Sequence, residues 1–190
     1  MFASRVLYIA VVLVFAAPAL SAAQRTDAAD RHREYEAVSR FLNAANEYVV
    51  IHRIVEPLAP GLLCLPEATY AAVNALAAIP LDARPAPREG DIFLPDVADL
   101  FRRRIAGMFR GNEDNPAYPE MNEQELIVPP VVVNEPLPWG AGNVMLAWLT
   151  ATLPALPEDL EYRFVGRDLV LLDLRANIVV DILRGALPLY

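Results

Sequence analysis

The chain of 190 residues has one cysteine, two histidines and no lysine. Each shortage excludes something. With Cys64 alone, no internal disulfide can form. Cys64 lies in "GLLCLP", about 40 residues beyond the leader described below, where no lipidating enzyme acts, so it reads as a small buried hydrophobe. Two histidines, His32 and His52, give no zinc-ligand spacing. Glycine is scarce, at eight residues. "WGAGN" contains G-x-G but lacks the preceding strand and the third glycine of a dinucleotide site, so it reads as a turn with Asn143 as the cap of a helix. No Walker loop and no Ser-His-Asp set stands out, so neither a catalytic set nor a cofactor is expected. Positive charge is short as well: 16 arginines face 24 acidic residues, for a net charge of −8. A nucleic-acid partner needs a positive field to release counterions, which this balance excludes.

Long apolar runs are limited to one place. Arg5 precedes "VLYIAVVLVFAA", Val6 to Ala17, followed by Pro18 and the small residues Ser21 to Ala23. This is the pattern of a secretory signal, with cleavage expected before Gln24. The run is short beside the roughly 20 residues that span a bilayer. An uncleaved N-terminal anchor is the alternative. No later stretch is long enough to cross a membrane, so no stable span is expected after cleavage.

The remainder, residues 24–190, reads as one domain large enough to hold a core without staples. Apolar positions at Tyr35, Val38, Phe41, Leu42, Ala45, Val49 and His52 predict a helix over 27–53, with Asp27 and Asp30 at its start. A second helix is expected over 66–79 and a third over 95–109, opened by Pro95 and closed by Gly111. Its stripe is Val97, Leu100, Phe101, Ile105 and Met108. Six prolines over 112–139 predict coil, with Val131 to Val133 as a possible edge strand. A short buried helix is expected over 143–152.

The C-terminal stretch "EYRFVGRDLVLLDLRANIVVDIL" alternates like a meander, with strands over 161–165, 168–174 and 178–183. A three-residue turn at "RAN", with Asn177 left-handed, would pair Leu174 with Ile178, Leu172 with Val180, and Val170 with Ile182. That face is wholly apolar and must be covered, the upstream helices being the obvious cover. The other face carries Asp173 and Asp181. The expected fold is α+β, with N-terminal helices packed on a small antiparallel meander.

Four side chains are candidate metal ligands. His32 and Glu36 stand four apart on a helix, and Asp173 and Asp181 lie close on neighbouring strands. Arg163 or Arg175 could instead neutralise the two aspartates. His32 and His52 lie about 30 Å apart on a continuous helix and cannot share a site. His52 falls on the apolar stripe and reads as a core imidazole bonded to backbone. Arg102 to Arg104 diverge around the third helix, where Asp99 can pair with Arg102 and Arg103.

The stretch "PEDLEYRFVGRDLVLLDLRANIVVDIL", residues 157–183, resembles the C-terminal hairpin of RcnB-like periplasmic proteins linked to nickel and cobalt homeostasis. The shared features are a proline-containing lead, an aromatic-Arg-aromatic strand, a V-G turn and an apolar strand ending in aspartate. Asn177 stands where such proteins carry glycine, and the chain has no His-rich segment. "GDIFLPDVADLFRRRI" is similar to a segment of exported bacterial proteins.

These readings lead to an exported, non-enzymatic envelope-accessory or interaction domain, with an unidentified protein as its partner. The resemblance implies a periplasmic metal-homeostasis role as the alternative. A hydrolase assembled from distant positions is the third reading. An open pocket holding His52, an acid and a hydroxyl would favour that third one.

Overall fold

A computed structural model describes residues 17–55, 88–110, 130–137, 143–144, 149 and 151–188. The chain divides into two units, Met1–Glu36 and Ala37–Tyr190. The fold is α+β: among the described residues two helices accompany an antiparallel sheet. The helix expected over 66–79 and Cys64 lie outside the described residues.

Helix α1 runs Ala17–Val55, 39 residues, so it starts ten residues before the expected boundary. Pro18 lies in the first turn, where its missing N–H costs nothing. The alanine-rich stretch that follows propagates helix well, and the helix is continuous across the Ala23–Gln24 junction. Asp27 and Asp30 are therefore interior residues. Asp27 pairs with Arg31 at 3.2 Å and Asp30 with Arg33. In the second unit α1 buries Ala37, Phe41, Ala45, Tyr48, Val49 and His52, spaced to make one face.

Helix α2 runs Pro95–Arg110, one residue beyond the expected end. It buries Val97, Ala98, Leu100, Phe101, Ile105 and Phe109, while Met108 is only half-buried against the core. Phe41 stacks on Phe93 at 5.7 Å and meets Phe101 tilted at 4.9 Å, and Tyr162 meets both Phe41 and Phe101 at 6.2 Å. This aromatic cluster joins α1, the loop before α2, α2 and the sheet.

The three arginines diverge as expected. Arg102 lies 3.5 Å from Asp99 and donates to the Arg184 carbonyl at 2.9 Å. Arg104 donates to the Thr152 carbonyl at 3.2 Å. Arg103 is exposed. An Arg103→Ala variant should therefore change stability by less than about 0.5 kcal/mol in urea unfolding, as surface changes do.

The sheet has the order β1-β2-β3-β4, where β1 is Asn143–Val144, β2 Leu160–Val165, β3 Asp168–Asp173 and β4 Ile178–Leu183. Three departures from the expected pattern matter. First, the segment read as the start of a helix over 143–152 is strand: Asn143 pairs with Phe164 and Val144 with Arg163. The open edge of β2 overrides local helix preference there. Near the other end of that segment Leu149 is helical and buried, as expected, and its carbonyl accepts the Thr152 N–H at 3.2 Å. Second, Val131 to Val133 form no strand. The chain instead reaches β4 through Asn134 N–H to Val179 O, Leu137 N–H to Asn177 O and a bridge from Pro136 to Ile178. Proline suits such an edge because it has no N–H to pair.

Third, the β3–β4 register differs. Val170 faces Ile182 as expected, but Leu172 faces Val179 and Asp173 faces Ile178. Asp173 closes the strand early by accepting the N–H groups of Arg175 and Ala176 at 2.9 Å, the way an Asx turn does. Asn177 has φ 51°, the left-handed conformation expected of it. The partners step from Asp181 to Val179 opposite Leu171 and Leu172, which makes Val180 the extra residue of a β-bulge.

The covers are the reverse of those expected, and the bulge moves Val180 to the helix side and Val179 to the opposite one. Leu169, Leu171, Val180 and Leu183 pack in the cluster with α1 and α2. Val170, Leu172, Val179 and Ile182 pack against Val131, Leu137 and Val165 on the opposite face. The helices thus cover the face that carries the aspartates, and the 131–137 segment covers the wholly apolar one. The carboxylates tolerate this because each meets a full set of donors, described next.

Candidate functional site

Tyr48, His52 and Arg53 come from the last two turns of α1. Their spacing follows from the helix: Tyr48 and His52 are four apart and share the buried face, while Arg53 points out beside them. Asp173 ends β3, and its side chain is fully buried. Its Oδ2 accepts the Tyr48 hydroxyl at 2.7 Å and lies 2.7 Å from His52 Nδ1. Its Oδ1 takes the two turn N–H groups already named. One carboxylate therefore ties α1 to the β3–β4 turn.

A second carboxylate supports the first. Asp159, directly before β2, is buried and takes Arg53 through Nε at 3.2 Å and a terminal nitrogen at 2.9 Å. Arg175 Nε lies 3.2 Å from its other oxygen. The Leu174 N–H donates to the Asp159 carbonyl at 2.9 Å. The turn after β3 is thus fixed from two sides.

Burial by itself pushes the Asp173 carboxyl up. His52, the Ala176 N–H and the Tyr48 hydroxyl outweigh it and hold the group below the usual carboxylate range. A depressed folded value gives a contribution present above the unfolded value of about 3.9 and lost as pH falls through the folded one. The stability of the chain should therefore fall on acidification below about pH 4, and Asp173→Asn should remove that component. Urea midpoints measured from pH 6 to pH 2.5 check this; identical slopes in the two proteins would refute it.

Asp181 is equally buried and serves another element. Oδ1 accepts Gly90 N–H at 2.8 Å and Ile182 N–H at 2.7 Å, and Oδ2 accepts the N–H groups of Ile92 and Phe93 at 2.7 Å. Burial pushes this carboxyl above its ordinary value, and the four N–H groups pull it back only in part. Gly90 has φ 91°, which lets successive N–H groups of the loop converge on the carboxylate.

The four metal-ligand candidates thus fall in three places. His32 Nε2 lies 3.2 Å from Glu36 Oε1 on an exposed stretch of α1, in the first unit. Asp173 and Asp181 share a face, yet one holds α1 and the other holds the loop before α2. Among the described residues no group of three or more His, Cys, Asp or Glu is placed to hold a metal ion. Of the arginines expected to neutralise the aspartates, Arg163 pairs with Glu161 at 3.0 Å, and Arg175 gives its side chain to Asp159 and its N–H to Asp173. His52 meets a carboxylate where a backbone partner was expected. Tyr48 and Asp159 were not singled out in the sequence. Tyr48 was findable, since it precedes His52 by four on the same stripe; Asp159 gives no local signal.

His52, an acid and a hydroxyl do come together, but in the interior and not in a pocket. A surface depression of about 320 Å³ is lined by Pro154, Leu156, Pro157, Leu160, Glu161 and Tyr162 among others. The Tyr162 hydroxyl donates to the Pro154 carbonyl at 3.1 Å. Burial pushes this phenol far above its ordinary value against a weaker pull from Arg104, so it stays protonated. Comparison with protein-family models, curated proteins and solved structures gives no match.

Proposed function

We propose that the protein is an exported, non-enzymatic envelope-accessory domain that acts by binding another protein. One observation carries the reading. Among the described residues the buried histidine and aspartates, His52, Asp159, Asp173 and Asp181, each tie one element to another, and none of these four lines the surface depression. A catalytic imidazole must reach a substrate proton within hydrogen-bond distance. His52 is sealed beneath α1 with Tyr48 and Asp173, as a structural group would be. The leader pattern supports export, and among the described residues no helix is long and apolar enough to cross a membrane. A panel of ester, phosphoester, glycoside and peptide substrates is expected to show no turnover above buffer. Turnover that disappears in a folded His52→Gln variant would overturn the reading in favour of a hydrolase.

A second reading, periplasmic metal homeostasis, is favoured by the exposed His32–Glu36 pair and by the hairpin resemblance. Calorimetric titration with nickel, cobalt and zinc tests it. Binding tighter than about 100 μM that is lost in His32→Ala would support it, and weaker binding would sink it.

A further inference from the structure

The surface depression beside β2 combines apolar walls with acid. Pro154, Leu156, Pro157 and Tyr162 line it together with Glu158 and Glu161, and none of the described residues lining it is a cation. Local contacts hold these parts in place. The Tyr162 hydroxyl donates to the Pro154 carbonyl. The Leu160 N–H donates to the Pro157 carbonyl at 3.0 Å and closes a turn with Glu158 and Asp159 at its tip. Arg53 grips the buried Asp159 of that turn through two nitrogens. The two prolines fix φ along the wall. A depression formed in advance loses little freedom when a ligand enters.

The charge at this place calls for a cation. Glu158 is exposed and has no ion-pair partner among the described residues. Glu161 meets Arg163 at 3.0 Å through one of its oxygens. Arg104 donates to the Thr152 carbonyl. The chain as a whole carries a net charge of −8, which draws cations toward it.

We propose that this depression receives a long cationic side chain from a basic segment of a partner protein, with its alkyl stem along Pro154, Leu156 and Pro157 and its charge at Glu158 and Glu161. This rests on the interaction-domain reading and names the class of partner. Lysine and arginine fit because they bury their stems on apolar surface while the charged head stays in water. The volume of about 320 Å³ lies at the low end of the roughly 300–1,000 Å³ that small-molecule pockets occupy, room for one long side chain and not for a nucleotide cofactor. A protein segment fits better than a free amine. An exposed ion pair holds a ligand only weakly, and a polypeptide adds neighbouring contacts at high effective concentration.

The isotope-labelled full chain is titrated with octapeptides that alternate glycine with lysine, acetyl-lysine or diaminobutyric acid, and with cadaverine, while amide NMR spectra are recorded. Acetylation keeps the stem and removes the charge; diaminobutyric acid keeps the charge and shortens the stem. The lysine peptide is expected to bind about five-fold tighter than each of the other three, with shifts centred on Ala155, Glu158 and Tyr162. Glu158→Gln should weaken it about three-fold or more, and Ala155→Trp, which fills the depression, about five-fold or more. Both positions are exposed, so neither change touches the core. Glu135→Gln removes the same charge beyond β4, two strands away from β2, and should leave binding unchanged. That control separates the site from the general pull of an acidic chain. Equal affinity for the lysine and acetyl-lysine peptides, undiminished binding by Ala155→Trp, equal effects of Glu158→Gln and Glu135→Gln, or shifts away from the depression would overturn the proposal. Cadaverine bound as tightly as the peptide would overturn the protein partner in favour of a small amine. The two levels fail separately. Turnover in the substrate panel removes the interaction domain, whereas absent peptide binding without turnover removes this site alone.

Discussion

Replacing Leu172 with aspartate is expected to leave a chain with no cooperative melt in circular dichroism. Leu172 is 4% exposed and sits among the apolar side chains of Val131, Leu137, Val165, Val170, Val179 and Ile182. The carboxylate would lose water among aliphatic side chains, at several kcal/mol, and roughly 2 kcal/mol of leucine burial would go with it. A domain of this size holds only about 5–15 kcal/mol in total. The leucine cannot turn outward, because a slip of one residue would carry the whole strand to the other face. A melt within a few degrees of the parent would show that the 131–137 segment does not cover this face.

Asp181→Ala is the second large effect, and its cause is the reverse. Here the aspartate is already satisfied, and its removal strands donors. The N–H groups of Gly90, Ile92, Phe93 and Ile182 all point at its two oxygens. A buried donor without a partner costs about 1–3 kcal/mol, so losing several at once should cost about 4 kcal/mol or more, even if water reaches some of them. Asp181→Asn should cost somewhat less, because one oxygen survives while the new amide faces N–H groups. Urea unfolding of the three proteins, read at pH 7, gives the order. Equal stability of parent and alanine variant would mean the loop before α2 is held by something else.

These two positions also show what the sequence could and could not convey. The 3.6-residue stripe from Phe41 to His52 was legible, because a helix must present its apolar face once per turn. So were α2, bounded by Pro95 and Gly111, and the left-handed Asn177, whose side chain donates to the Leu137 carbonyl at 2.9 Å. The bulge at Val180 was not legible. Nothing in "IVVDIL" marks which residue is the extra one, and the choice decides which faces Val179 and Val180 take. Three of the four donors for Asp181 lie about 90 residues upstream, at a turn with no apparent link to the meander. A lone aspartate in an otherwise apolar strand does signal that donors must exist, without saying where. Strand β1 was missed because the helix preference of its segment yields to the open edge of β2. Asp159, which organises both arginines, was hidden inside a proline-rich lead.

The contact between Tyr48 and Asp173 bridges 125 positions in sequence, those from Arg53 to Asp159 bridge 106, and those to Asp181 about 90. Synthesis runs from the N-terminus, so α1 is complete long before its partners exist. Loop closure over such spans is slow, and it waits on the last two strands. Until β4 emerges, the buried face of α1 has no sheet to cover it, and the partly made chain exposes Phe41 and Phe101 to any holding chaperone. Truncation by even the final strand should therefore leave an aggregating chain rather than a smaller folded one. The closing order of this fold is set by its final strand pair: the domain becomes a domain only when β4 joins β3.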